Sequence, residues 1–298
     1  MRTDGPVVIC LDGSPRSERT LAWGLHEAER LGAPVVLARA WQEPDEFAMR
    51  GWFPTLPPSD LDGEARDYLD AVRLREAARR PQLHVTTSLR HGPVVPELRA
   101  LSRDARLLVV GPGPRRRPGH VALHLAAHAQ CPVAVVRDDG ETTRGAASGL
   151  ARPVVVGVDG SPCSLEAARR AAQAAVARGA RLRVVHARPT VAAPYGTGAV
   201  PSVADDADPA HAATRTLAES LRADHPGLEV ETVLVDDDPA HAVIDAAEHA
   251  QLVVLGSRGL GAFRGMLLGS VSHEVVRDAP CSVLVLHDSG QDAGHDAD

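Results

Sequence analysis

The stretch "VVVGVDGSPCSLEAARRAAQAAVARGARLRVVHA" (154–187) opens on a short apolar run and breaks at "DGSP". It then continues through a long amphipathic run and ends on a second apolar run. Strands that helices cover on both sheet faces are apolar on consecutive residues, as "VVVGV" is, and the intervening run is long enough to cross over such a sheet as a helix. The reading is strand, turn, helix, strand, the unit from which parallel α/β sheets are built.

The unit occurs twice. "VVICLDGSPRSERTLAWGLHEAERLGAPVVLARA" (7–40) aligns with 154–187 without a gap, and the match resumes with "LLVVGPG" (107–113) against "LVVLGSR" (252–258) and "AQCPVAVV" (129–136) against "APCSVLVL" (279–286). Such self-similarity marks a tandem duplication. The 298 residues suit two domains of about 150 residues each. Between the copies, "RDDGETTRGAASGLARP" (137–153) is polar, rich in Gly, Ser and Thr, and without periodicity, the composition of a linker. The expected organisation is a first domain over 1–138, a linker over 139–152, a second domain over 153–288 and a disordered acidic tail over 289–298. In the second copy the pattern predicts strands at 154–158, 182–187, 228–235, 252–256 and 282–286. It predicts helices over 162–178, 208–223, 239–250 and 270–278. The fold class is α/β, two tandem doubly wound domains with open parallel sheets. Sheets of this kind bind ligands at the carboxyl ends of their strands, where the strand order reverses.

Composition narrows the functions. The chain is 44% hydrophobic and 24% charged, with no apolar run near the roughly 20 residues that span a bilayer and no apolar leader before its first strand, so a cytoplasmic protein without a membrane partner is expected. A net charge of -7 argues against a general nucleic-acid binder. Cys10, Cys131, Cys163 and Cys281 are too scattered for a disulfide framework or a CxxC site and read as packed thiols.

"GSRGLGAFRGMLLGSVS" (256–272) lies between a strand and a helix. Its glycines permit close backbone approach and positive φ, and Ser270 is the expected helix N-cap, with the first-turn amides presented to an anion. The hydroxyls of Ser270 and Ser272 are expected to add donors. Asp159 closes the first strand and is placed for a ribose or adenine contact, and Ala187 ends the second strand with main-chain groups for a base edge.

These residues resemble the universal stress protein family, whose nucleotide-binding members carry G-x2-G-x9-G-[ST]; Gly256, Gly259, Gly269 and Ser270 meet every position, and the repeat carries the resemblance over nearly the whole chain. The fold would then be the Rossmann-like type of that family. The resemblance implies ATP, with Mg2+, in the second domain. It puts Asp159 and Ala187 on the adenosine side, Gly256 and Gly259 near ribose and α-phosphate, and Gly269, Ser270, Val271 and Ser272 around the outer phosphates. It also implies a homodimer paired through last-strand edges such as "CSVLVLH", and an ATP-dependent switch in conformation or in choice of a regulatory protein partner.

The first copy departs from the motif. In "GPGPRRRPGHVA" (111–122) Pro114 stands where the second glycine would be, His120 aligns with Ser270, and the segment to Cys131 is five residues shorter than its counterpart. Prolines lack the amide donors a phosphate cradle needs, so weak or absent ATP binding is expected there.

Simpler readings stand beside these. Asp159 recurs as Asp12 in the copy without the loop, which favours a structural role. Arg115 to Arg117 read as a solvated charge run. His120, His124 and His128 recur at i, i+4, i+8, an exposed polar stripe or a transition-metal face. Trp41, Phe47, Trp52 and Phe53 gather in an irregular loop, for a partner, as a pocket cover or as local packing. The competing functions are an ATP hydrolase or a nucleotidyl or phosphoryl transferase, against which stands a chain with no lysine at all, and a dimerising module without ligand.

Overall fold

A computed structural model describes residues 4–42, 61–111, 119–137, 152–188, 209–261 and 267–287. The acidic tail, the arginine run 115–117, Pro114, Arg264, the aromatics Phe47, Trp52 and Phe53, and all of the linker but Arg152 lie outside the described residues. The chain divides into two compact units, Met1–Val136 and Arg137–Asp298.

In the first unit the elements run β1 (Val7–Cys10), α1 (Ser17–Leu31), β2 (Val35–Trp41), α2 (Leu61–Arg79), β3 (Val85–His91), α3 (Val94–Leu101), β4 (Leu107–Val110), α4 (His120–His128) and β5 (Val133–Val135). In the second they run β6 (Val154–Gly157), α5 (Pro162–Ala177), β7 (Leu182–Arg188), α6 (Pro209–Asp224), β8 (Val230–Asp236), α7 (Pro239–Ala246), β9 (Leu252–Gly256), α8 (Ser270–Asp278) and β10 (Ser282–Leu286). All strand pairs within a unit are parallel, in the order β3-β2-β1-β4-β5 and β8-β7-β6-β9-β10. The duplicated reading therefore holds as two doubly wound sheets, each with its order reversing between the first and fourth strands.

Local chemistry explains the elements. Ser161 caps α5 by accepting from the amide of Ser164 at 3.2 Å, with Pro162 at the first helical position. The helix ends where Gly179 takes φ +58°, a left-handed turn that glycine adopts without strain. Its Ala167, Ala168, Ala171, Ala172 and Ala175 are fully buried, and such small side chains bring the helix close onto β6 and β9. Helix α7 is shorter than the sequence pattern predicts. It stops at Ala246, where the following amides tighten to i−3 carbonyls (Ala247 to Ile244, Glu248 to Asp245).

The core is the sheet. Every residue of β9 and β10 is buried, as are Val154, Val155 and Val156 of β6. Helix α5 packs on β6 and β9, α6 on β7 and β8, and α7 against α8. The carboxyl ends of β6, β7 and β9 are left to loops, and there the candidate residues collect.

Candidate functional site

Beyond β6 the backbone makes the tight turn that "DGSP" encodes. Gly160 takes φ +84°, the Ser161 amide donates to Asp159 Oδ1 at 3.0 Å, and the Asp159 amide donates to Ser164 Oγ at 3.3 Å. The other carboxylate oxygen reaches across the switch point: the amide of Leu260, in the loop after β9, donates to Asp159 Oδ2 at 2.7 Å. Burial alone would raise the Asp159 pKa, but the bonds from Ser161, Leu260 and Ser164 outweigh it and hold the carboxyl below its usual value. Asp159 is thus first a tie between two loops. Each carboxylate oxygen keeps a lone pair for a further donor.

The first unit builds the same turn. Asp12 Oδ1 accepts from the Ser14 amide at 2.9 Å and from the Ser17 hydroxyl. Over it lies Arg39, whose guanidinium would stand 3.2 Å from a Cβ on Gly13 and packs on the Tyr68 ring at 5.5 Å. The residue of the second copy that aligns with Arg39 is His186, whose Nδ1 bonds the Val158 carbonyl at 2.9 Å.

The motif glycines separate into two kinds. A Cβ on Gly256 would stand 2.7 Å from Cys163 Sγ and 3.1 Å from the Cys163 carbonyl carbon, and one on Gly259 would overlap the Asp159 carboxylate. Neither has positive φ. The expected positive φ is therefore not found at either, and the space a side chain would need at each is filled by the protein. Gly269 differs, because among the described residues its Cβ would meet only the Ser257 carbonyl oxygen at 3.6 Å and Arg258 Cα at 3.9 Å, and its φ of -68° suits any residue.

The start of α8 corrects a second expectation. The N-cap is Gly269, not Ser270, and no side chain caps the helix. The Gly269 amide is spent on the Ser257 carbonyl at 2.7 Å. The Ser272 hydroxyl donates to the Gly256 carbonyl at 2.7 Å and is buried, so its proton is not available to a phosphate. What remains are the amides of Ser270, Val271 and Ser272, which have no acceptor among the described residues, and the exposed Ser270 hydroxyl. Three unsatisfied amides at a helix start carry the positive end of the helix dipole.

On the other side, β7 outruns β6. Its last β6 bond is from the Val158 amide to the Val185 carbonyl at 2.9 Å, whereas on the β8 side it pairs through Ala187↔Val235 and Arg188↔Asp236. Since alternate residues of a parallel strand turn their N–H and C=O to opposite edges, Ala187 turns both toward β6, where they have no partner among the described residues. Nearby is a residue that sequence reasoning missed. His211, in the first turn of α6, lies 5.8 Å edge-on from His186, is 2% exposed and has no hydrogen bond at either ring nitrogen among the described residues. Only a solved neighbourhood reveals this, since a lone histidine on an amphipathic helix carries no such signal.

The thiols fit the packing reading. Cys131, Cys163 and Cys281 are buried, Cys10 is partly so, none is disulfide-bonded, and burial pushes the Cys131 thiol up to about 12. Trp41 donates to Asp62 Oδ1 at 3.4 Å and packs against His91. Among the described residues no helix is long and apolar enough to cross a membrane.

Comparisons with known proteins agree with this architecture. Residues 5–137 and 151–287 each match the universal stress protein family. A universal stress protein of Mycobacterium tuberculosis is 31% identical over 312 residues, covering 95% of this chain and 96% of its own. One of Mycobacterium bovis is 32% identical over 299 residues, covering 95% and 97%. Among solved structures, a universal stress protein from Archaeoglobus fulgidus superposes with a TM-score of 0.70 at 20% identity, over 97% of this chain and 99% of that one, a likeness of fold.

Proposed function

The chain belongs to the universal stress protein family, and from that premise we propose that its second domain binds ATP, with Mg2+, and uses occupancy as a switch of conformation or partner choice. The observation that carries the reading is the pairing of unsatisfied groups at the reversal point of the second sheet. The amides of Ser270, Val271 and Ser272, without an acceptor among the described residues, meet an anion's requirements, and the main-chain donor and acceptor of Ala187 suit a base edge. Asp159 retains acceptor capacity for a ribose hydroxyl while tying Leu260 and its loop in place. Gly269, where a Cβ would make only ordinary van der Waals contact with the described residues, is the motif glycine whose role falls to the ligand; Gly256 and Gly259 act through packing.

His211 supports a polar ligand at the adenosine end, because a buried imidazole, here without a partner among the described residues, costs about 1–3 kcal/mol that a bound donor or acceptor would offset. The first domain is proposed not to bind ATP, since Arg39 and Tyr68 occupy the ground above its Asp12 turn. We further propose a cytoplasmic homodimer with a regulatory protein as partner. The test is the nucleotide content of protein purified without added ligand, followed by calorimetry. One ATP per chain is expected; an empty protein that binds none overturns the reading, and two equivalent sites overturn the account of the first domain.

A further inference from the structure

A base edge laid against Ala187 is not chosen by the main chain. The N–H and C=O of one residue make a donor–acceptor pair, and an amino purine such as adenine and an oxo purine such as hypoxanthine each offer such a pair one acceptor and one donor. Selection then falls to the side chains beside it. We propose that His186 and His211 form the nucleoside wall of the second domain's site: His211 gives the nucleoside a buried hydrogen bond, and His186 makes the site prefer an amino purine to an oxo purine. The inference rests on the nucleotide reading given above.

Both residues stand at the ligand end of the sheet. His186 precedes Ala187 on β7, and its Nδ1 lies 2.9 Å from the carbonyl of Val158, the residue before Asp159. A carbonyl only accepts, so Nδ1 carries the proton, and in the neutral ring Nε2 is left as an acceptor without a partner among the described residues. His211 lies in the first turn of α6, the helix that follows β7, and such a helix begins at the carboxyl end of its strand. Its ring meets His186 edge-on at 5.8 Å and is 2% exposed, and neither nitrogen has a partner among the described residues. Buried hydroxyls of the same unit are satisfied: those of Ser164, Thr214 and Ser272 donate to main-chain carbonyls at 2.9, 2.9 and 2.7 Å. An unpaired buried imidazole among satisfied groups marks a place where a ligand supplies the partner.

The preference follows from the acceptor at His186. Adenine's amino group has two hydrogens, one for the Ala187 carbonyl and one for an imidazole nitrogen. Hypoxanthine carries an oxygen there, and its lone pairs would meet the lone pair of Nε2. The first unit shows the opposite choice at the aligned position, where Arg39, a side chain with donors only, lies over the Tyr68 ring at 5.5 Å.

The experiment is calorimetry of the full chain at about pH 8, where an ordinary histidine is neutral, with ATP and with inosine triphosphate, its oxo counterpart. Wild type should prefer ATP at least about tenfold, since a site built to bond a donor rejects the analogue that lacks it, and His186→Phe, which keeps a ring and loses the acceptor, should bring the preference below about threefold. His211→Leu should weaken both nucleotides at least about fivefold, and His211→Gln, which keeps a donor and an acceptor, should recover most of that loss. In scanning calorimetry without nucleotide, His211→Leu should melt no lower than wild type, because leucine leaves no buried nitrogen unpaired. If wild type binds no ATP, the nucleotide reading itself falls and this inference with it. Binding of ATP without preference over inosine triphosphate, or a preference that survives His186→Phe, overturns the inference alone. So does a His211→Leu protein that binds ATP as wild type does, or one that melts lower without nucleotide, which would make His211 a packing residue.

Discussion

Replacing each motif glycine by alanine should separate packing from ligand binding. At Gly256 the new Cβ would stand 2.7 Å from Cys163 Sγ and 3.1 Å from two further Cys163 atoms, one of them backbone. The first turn of α5 would have to back away from β9. Overpacking of this kind costs about 1–3 kcal/mol, and at about 2–4 °C per kcal/mol for a domain of this size the second domain should melt roughly 2–12 °C lower. Cys163→Ala removes the closest atom and should recover part of the loss. At Gly269 the nearest atoms are 3.6 and 3.9 Å from the Cβ and φ is -68°, so Gly269→Ala should leave the melt within about 0.5 kcal/mol of wild type. If phosphates occupy that space, the same substitution, and more so Gly269→Val, should weaken ATP at least about tenfold, or 1.4 kcal/mol. The assay is differential scanning calorimetry without nucleotide, paired with ATP titration. A folded Gly269→Val protein with unchanged ATP affinity refutes the proposed phosphate site. An unshifted melt for Gly256→Ala refutes the packing account.

Two further outcomes follow from the loop that Asp159 ties. Its carboxyl titrates below the ordinary value of 3.8, so the stability it contributes is fully present above that value and is lost as pH falls through the lower, folded one. The gap in melting temperature between wild type and Asp159→Asn should therefore be constant from pH 7 to about 5 and narrow progressively only as pH falls below about 4; a gap that is absent at pH 7 or does not narrow at all on acidification counts against the charge. ATP should be held far longer than it is hydrolysed, because Glu274 is turned to Arg277 at 3.8 Å and the chain has no lysine for the phosphates. Single-turnover measurements with magnesium on wild type, Arg258→Ala, Arg264→Ala and Glu274→Gln should show slow turnover indifferent to all three. A rate near 1 per second that any of them lowers would place the protein among enzymes.

Much of this molecule is legible along the chain, and the reason is locality. The consecutive apolar residues of "VVVGV" and "LVVLG", the cap Ser161 with Pro162, and the left-handed Gly179 act through neighbours a few positions away, so β6, α5, β7, β9 and β10 fall within about two residues of where pattern alone puts them. The duplication needs no structure, being a comparison of the chain with itself. The chemistry of the loop was decided elsewhere. A glycine in a sequence announces a missing side chain without saying what fills the space, and the occupants of Gly256 and Gly259 are Cys163 and Asp159, each about a hundred residues earlier. The availability of a donor likewise depends on its partner: the Gly269 amide and the Ser272 hydroxyl are consumed by carbonyls at Ser257 and Gly256, which only the return of the chain from β9 to α8 brings within reach. Spacing marked where a ligand belongs; which atoms remain free to hold it depended on contacts between residues distant in sequence, and those exist only once the sheet has assembled.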